Sequence, residues 1–136
     1  MTFAELELAF EFVNMGRDFE TVAYVSRSTG QTYVCSEASG IDELPDDVSE
    51  NDDYVEIPNR NDLDLGQQLV WKFVDRRIPE RMSEVRQIFS RRGAWSRYKD
   101  LLAELGLLDD WHRFDDESTR EALLGWCRDV GVAIEG

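Results

Sequence analysis

A single histidine, His112, and two cysteines, Cys35 and Cys127, are all the chain offers to most metal and thiol chemistry. The three do not follow the close paired spacing of zinc ligands. His112 and Cys127 stand 15 residues apart, which sets them on different faces or helices. A packed or half-exposed imidazole beside Trp111 is therefore a simpler reading than a thiol–imidazole pair. There is no Gly-rich phosphate loop, no nucleophile elbow and no HExxH pair. Asn59, Asn61, Asp62 and Asp64 lie close together but do not alternate as in a calcium-binding EF-hand, and no bidentate Glu closes the loop. Carboxylates present the opposite difficulty: among 29 Asp and Glu, no acid–base pair stands out. Cysteine is too sparse for a stapled secreted domain. No window reaches the roughly 18 apolar residues of a membrane span. The opening Met1-Thr2-Phe3-Ala4-Glu5-Leu6-Glu7 carries no basic segment followed by an apolar run, so no signal peptide is expected. Together these exclusions predict a cytoplasmic protein with both thiols reduced, no cofactor, no metal and no membrane partner.

What is present fits one packed domain over residues 1–136. The length is within the usual range for one core, and four tryptophans add bulk to fill it. The net charge of −14 opposes nonspecific attraction to nucleic acid or anionic lipid. That sum is unevenly distributed. Residues 1–70 hold 16 acids and 3 bases, residues 71–100 hold 4 acids and 9 bases, and residues 101–136 hold 9 acids and 3 bases. The basic middle is the main anomaly of composition.

Along the chain, Phe3, Leu6, Ala9, Phe10 and Val13 recur at helical spacing. Thr2 followed by Glu5 is a capping-box pattern, and Asn14-Met15-Gly16 is a stop signal. Thr21-Val22-Ala23-Tyr24-Val25 and Thr32-Tyr33-Val34-Cys35 read as a hairpin about Ser28-Thr29-Gly30-Gln31. An acidic connection over 36–53 follows, with Ile41 and Leu44-Pro45 as its apolar pins. Tyr54-Val55-Glu56-Ile57 forms a third strand that Pro58 ends. The rest is helical: from Asp62 or Asp64 to about Arg77, from Pro79 with Met82, Val85, Ile88 and Phe89 inward, from Gly93 to Gly106, and over about 108–129. The expected fold is α+β, with an N-terminal helix and a small three-stranded antiparallel sheet in residues 1–58. A C-terminal helical bundle occupies 59–136.

The segment Arg91-Arg92-Gly93-Ala94-Trp95-Ser96-Arg97-Tyr98-Lys99-Asp100 resembles a signature of uncharacterised protein family 0158, a bacterial family. Gly106-Leu107-Leu108, Trp111-His112-Arg113-Phe114 and Trp126-Cys127 resemble further elements of that family, as do the hairpin with Thr29-Gly30 and the acidic loop. The likeness covers most of the chain and departs at His112, where an aromatic is expected, and at Asp115, where a basic residue is common. It implies an α+β fold and brings no established activity.

Arg91, Arg92, Gly93, Arg97 and Lys99 are the candidate site for an anion or a partner. Gly93 permits a turn, a helix N-terminus opens after it, and helix N-termini attract anions. Two arginines beside it would complete a clamp for phosphate or carboxylate. The competing interpretation is a plain helix–helix turn whose arginines pair with the chain's own carboxylates. The wider strip of Lys72, Arg76, Arg77, Arg81, Arg86, Arg91, Arg92, Arg97 and Lys99 suits phosphate contacts only if its members share a face. Trp95 and Tyr98 would stack on bases or, at helical spacing, fill the core. The acidic stretch 42–56 is a solvated connection, a docking surface for a basic partner or a mimic of nucleic-acid charge. Three functions follow. The first is a non-catalytic protein-interaction or regulatory module of the bacterial cytoplasm. The second is a nucleic-acid-associated factor using residues 72–99, and the third an enzyme without a recognisable motif.

Overall fold

The computed structural model describes residues 1–15 and 21–135. They form two compact units, Met1–Leu63 with Ala122–Gly136, and Asp64–Glu121. The expected terminating Gly16 of the first helix lies outside the described residues.

In the first unit, α1 runs Phe3–Val13 and buries Leu6, Ala9 and Phe10. Its start follows the capping-box rule. The Glu5 N–H donates to Thr2 Oγ1 at 3.2 Å and the Thr2 N–H donates to Glu5 Oε1 at 3.0 Å, which occupies two backbone donors a helix start otherwise leaves free. Its end is closed by Asn14, whose Nδ2 donates to the Phe10 carbonyl at 2.7 Å while its Oδ1 accepts the Arg60 N–H at 2.9 Å. The helix packs on strand β1.

The strands are β1 Thr21–Ser26, β2 Thr32–Ser36, β3 Ile41–Asp42 and β4 Tyr54–Glu56, all antiparallel, in the order β3-β2-β1-β4. The expectation of three strands is thus corrected to four. The additional strand pairs Ile41 with Ser36 and Asp42 with Cys35 along the open edge of β2. Two residues in an acidic setting carry no strand pattern of their own, so only this pairing creates it. Ile41, expected to pin the connection, is exposed, while Leu44 and Pro45 are half-buried. The hairpin turn reaches φ +74° at Gly30 as its sequence requires. The chain start lies against that turn. Met1 is buried, its carbonyl accepts the Glu135 N–H at 2.9 Å, and Thr2 forms a parallel bridge with Glu135.

The second unit is helical: α2 Gln67–Arg77, α3 Met82–Ile88, α4 Ala94–Glu104 and α5 Leu108–Val130, whose residues up to Glu121 belong to it. α2 opens later than Asp62 or Asp64 predicts. Asp64 holds φ +58°, a left-handed conformation that interrupts any helix, and residues 61–63 form only a 3-10 turn. Pro79 leads a 3-10 turn, Pro79–Arg81, that precedes α3. Leu69, Val70, Phe73, Val74, Val85, Leu101 and Leu102 make the aliphatic part of the core. A run of aromatic contacts makes the rest: Trp71–Phe89, Phe89–Trp95, Phe89–Tyr98, Tyr98–Trp111, Trp111–Phe73 and Phe73–Phe114, with ring centroids 5.1–5.6 Å apart. All six are edge-on or tilted, the arrangement that ring quadrupoles favour.

Candidate functional site

The α3–α4 connection is built as the sequence implies. Ser90 Oγ donates to the Gln87 carbonyl at 2.6 Å, Gly93 takes φ +73°, and α4 begins at Ala94 with no side chain capping its first turn. Arg91, Arg92, Gly93, Arg97 and Lys99 are all exposed. Arg91 and Arg92 flank the uncapped helix start, and Arg97 lies one turn into the helix, its N–H bonded to the Gly93 carbonyl. Lys99 stands about 200° around α4 from Arg97, since successive residues turn about 100°. The turn therefore carries Arg91 and Arg92, Arg97 follows one turn into α4, and Lys99 stands on the other flank of the helix. Between these flanks Tyr98 is fully buried, as a core reading requires, whereas Trp95 is 39% exposed.

The decisive electrostatic observation concerns partners. Of the nine cations in residues 71–100, two form ion pairs among the described residues: Arg77 with Asp110 at 2.8 Å and Arg81 with Glu84 at 3.1 Å. Arg76 and Arg86 instead lie over aromatic rings, 5.7 Å from the Phe114 centroid and 5.0 Å from the Trp71 centroid. Such contacts contribute about 0.5–1 kcal/mol at exposed sites. Lys72, Arg91, Arg92, Arg97 and Lys99 have no ion pair among the described residues.

A concavity of about 240 Å³ lies between α2 and α5 within the second unit, lined by Phe73, Arg76 and Arg77 from one helix and Asp110, Arg113 and Phe114 from the other, with Glu117 beside them. Asp110 holds two guanidinium groups, Arg77 at 2.8 Å and Arg113 at 3.7 Å. Arg76 and Arg77 belong to the basic strip that the sequence makes visible. Asp110, Arg113 and Phe114 do not, because no sequence signal tells which face of α5 meets α2.

Other constellations resolve into structural roles. The Asp53 carboxylate accepts from the Ser26 hydroxyl, from the Ser28 hydroxyl at 2.9 Å and from the Ser28 N–H at 2.9 Å. Those bonds, the one from Ser26 first, hold its carboxyl below the usual range, which makes it a poor proton acceptor. It locks the hairpin to the acidic connection. Within that connection Asn51 Nδ2 donates to Asp47 Oδ2, and the Leu44 N–H donates to Asp42 Oδ1, so several acids serve local backbone and turns. Asn59 and Asp62 exchange reciprocal bonds to each other's backbone N–H, at 3.2 and 2.8 Å. His112 and Cys127 fall about four turns apart along one helix, α5, and not on separate helices. Both cysteines are free. Burial first, then Asp42 and Glu37, push the Cys35 thiol up, and burial pushes up that of Cys127. A reactive cysteine needs the opposite shift. Among the described residues no helix is long and apolar enough to cross a membrane, and no group of three or more His, Cys, Asp or Glu is placed to hold a metal ion. No protein-family model matches the chain, and no curated protein or solved structure matches it either.

Proposed function

We propose that this chain is a non-catalytic protein-interaction or regulatory module of the bacterial cytoplasm, with its contact surface at Arg91, Arg92 and Arg97. One observation carries the reading. In a chain of net charge −14, these exposed guanidinium groups have no ion pair among the described residues. An exposed cation left alone costs the fold little, because surface pairs contribute only about 0–1 kcal/mol. It keeps its full set of donors for a partner's carboxylates. Trp95, two residues beyond Gly93, adds apolar area, and Trp and Arg are the side chains most often dominant at protein interfaces. Neither the raised Cys35 and Cys127 thiols nor the acidified Asp53 is tuned for nucleophilic or basic work. Membership of uncharacterised protein family 0158 belongs to the same proposal and adds no activity to it.

The test is affinity capture at about 50 mM salt, where electrostatic attraction is strong, with wild type and an Arg91→Ala/Arg92→Ala/Arg97→Ala variant. A stoichiometric protein partner retained by wild type and lost by the variant is the expected result. No stoichiometric partner, or one held equally by the variant, overturns the reading. The same three arginines motivate a second reading, binding of nucleic acid. Fluorescence anisotropy with RNA and DNA under those conditions decides it. Binding that weakens with salt and with the triple substitution would transfer the function to nucleic acid, against the opposition of the net charge.

A further inference from the structure

The α2–α5 cleft sets three arginines, Arg76, Arg77 and Arg113, beside two phenylalanine rings. Phe73 is buried and Phe114 half-buried, with centroids 5.4 Å apart. The guanidinium carbons of Arg76 and Arg77 lie 5.7 and 5.8 Å from the centroids of Phe114 and Phe73. Asp110 accepts from Arg77 at 2.8 Å and stands 3.7 Å from Arg113, so one carboxylate positions two cations. Each guanidinium carries five N–H donors, and Arg77 uses one of them on Asp110, which leaves most of the donors of Arg76, Arg77 and Arg113 uncommitted to acids. The lining carries three positive and two negative side chains, Asp110 and Glu117 being the negative ones. Its net charge of +1 matches a monoanion. A phosphate dianion would leave excess negative charge beside two carboxylates. The volume of about 240 Å³ lies below the roughly 300 Å³ at which cofactor sites begin, so it suits a group the size of one side chain.

We propose that this cleft binds an aromatic carboxylate, with the carboxylate received by Arg76 and Arg113 and the ring set against the half-buried Phe114. Two sources present that chemistry: a free small arylalkanoic acid, or the C-terminal carboxylate of a chain ending in phenylalanine. Arg91, Arg92 and Arg97 do not line the cleft, so this site and the contact surface proposed above stand or fall separately.

The experiment titrates 3-phenylpropionate into the full chain labelled with ¹⁵N, following the arginine Nε–H and tryptophan indole resonances. Expected is a saturable shift of the Arg76 and Arg113 signals and of the Trp111 indole, whose ring adjoins Phe73 and Phe114. Affinity for a fragment of this size falls in the millimolar range. Arg76→Gln and Arg113→Gln, both at exposed positions, each weaken binding about fivefold or more, as loss of a charge-assisted hydrogen bond implies. The neutral amide, 3-phenylpropionamide, binds at least about tenfold more weakly, and phenyl phosphate binds more weakly than the acid. A capped tetrapeptide ending in phenylalanine with a free carboxylate separates the sources: tighter binding than the small acid identifies a chain terminus, and equal or weaker binding identifies a free acid. The proposal is overturned by no saturable shift up to about 50 mM acid, by an equal response to the amide, or by shifts confined to Arg91 and Arg92. It is likewise overturned if Arg76→Gln and Arg113→Gln keep a well-dispersed spectrum and unchanged affinity.

Discussion

Replacing Gly30 by alanine tests how the start of the chain is fastened to the sheet. A Cβ built at this position meets the Met1 nitrogen at 2.6 Å, its Cα at 3.3 Å and its Cβ at 3.4 Å. The first distance falls inside any tolerated contact, and its partner is backbone, so the segment has to move. Two costs add. Holding alanine at φ +74° costs about 1–2 kcal/mol. Displacing Met1 endangers the 2.9 Å bond from the Glu135 N–H, a net of about 1 kcal/mol, and uncovers part of a side chain whose full burial contributes about 1.5–3 kcal/mol. The expected loss is about 3–5 kcal/mol. Gly40 supplies the control, since it has φ +69° and nothing within 4 Å of an added Cβ. Gly40→Ala carries the conformational cost alone, about 1–2 kcal/mol. Both substitutions reduce the entropy of the unfolded chain equally, so that term cancels in the comparison. Urea unfolding of the two variants and wild type reads the difference, expected as a midpoint for Gly30→Ala about 1 M below that of Gly40→Ala. Equal midpoints would refute the tight seating of Met1 on the turn.

Three further outcomes follow from two side chains. Tyr98 is fully buried and its hydroxyl has no hydrogen-bond partner among the described residues, so Tyr98→Phe removes a desolvated group and leaves the ring contacts intact; stability should stay level or rise by about 1 kcal/mol, and a loss of more than about 1 kcal/mol in urea unfolding would show that the hydroxyl is bonded. Burial of this phenol, with Asp115 second, also drives its ionisation well above the usual tyrosine range, so ultraviolet titration should leave it protonated until the fold opens. Asp53 has a folded pKa below its unfolded one, so the carboxylate form favours the fold: the contribution is complete above the unfolded value of about 3.9 and disappears as pH falls through the folded one. Melting temperature followed from pH 6 to pH 2.5 should decline less steeply in that acid window for Asp53→Asn than for wild type, and parallel curves would remove Asp53 from the account.

The parts of this fold legible in sequence are those fixed by local chemistry. The Thr2–Glu5 capping box, the apolar stripe of α1, the hairpin with its glycine turn and the break at Gly93 each depend on residues a few positions apart. The failures are of two kinds. β3 exists because Ile41 and Asp42 complete an edge of β2, which periodicity within 36–53 does not contain. The start of α2 is displaced because Asp64, a residue that reads as a helix cap, takes a left-handed conformation instead. At the candidate surface the residue types were readable, whereas whether Arg91 and Arg92 face solvent was not, because exposure is decided by how α3 and α4 pack. Whether those charges were neutralised was not readable, because an ion pair such as Arg77–Asp110 spans 33 positions.

The distribution of charge between the two units bears on which partner the exposed arginines select. Met1–Leu63 with Ala122–Gly136 holds 17 acids and 4 bases, whereas Asp64–Glu121 holds 12 and 11. The negative excess therefore belongs almost wholly to the first unit, and the second is near neutral, with nine of its eleven cations between Lys72 and Lys99. At physiological salt the Debye length is about 8 Å, so a molecule farther away than that meets little of either field, and one at contact feels mainly the nearest charges. A nucleic acid extends well beyond one Debye length, and its more distant phosphates face a protein of net negative charge. Its binding would rest on few phosphate contacts and would collapse between about 50 and 200 mM salt. An acidic patch on a protein partner needs only the local charges of Arg91, Arg92 and Arg97, together with the apolar contact of Trp95, which salt does not weaken. Complexes that persist at about 150 mM salt and vanish on substitution of the three arginines thus point to a packed protein interface, and the salt profile of binding, more than its strength, separates the two readings.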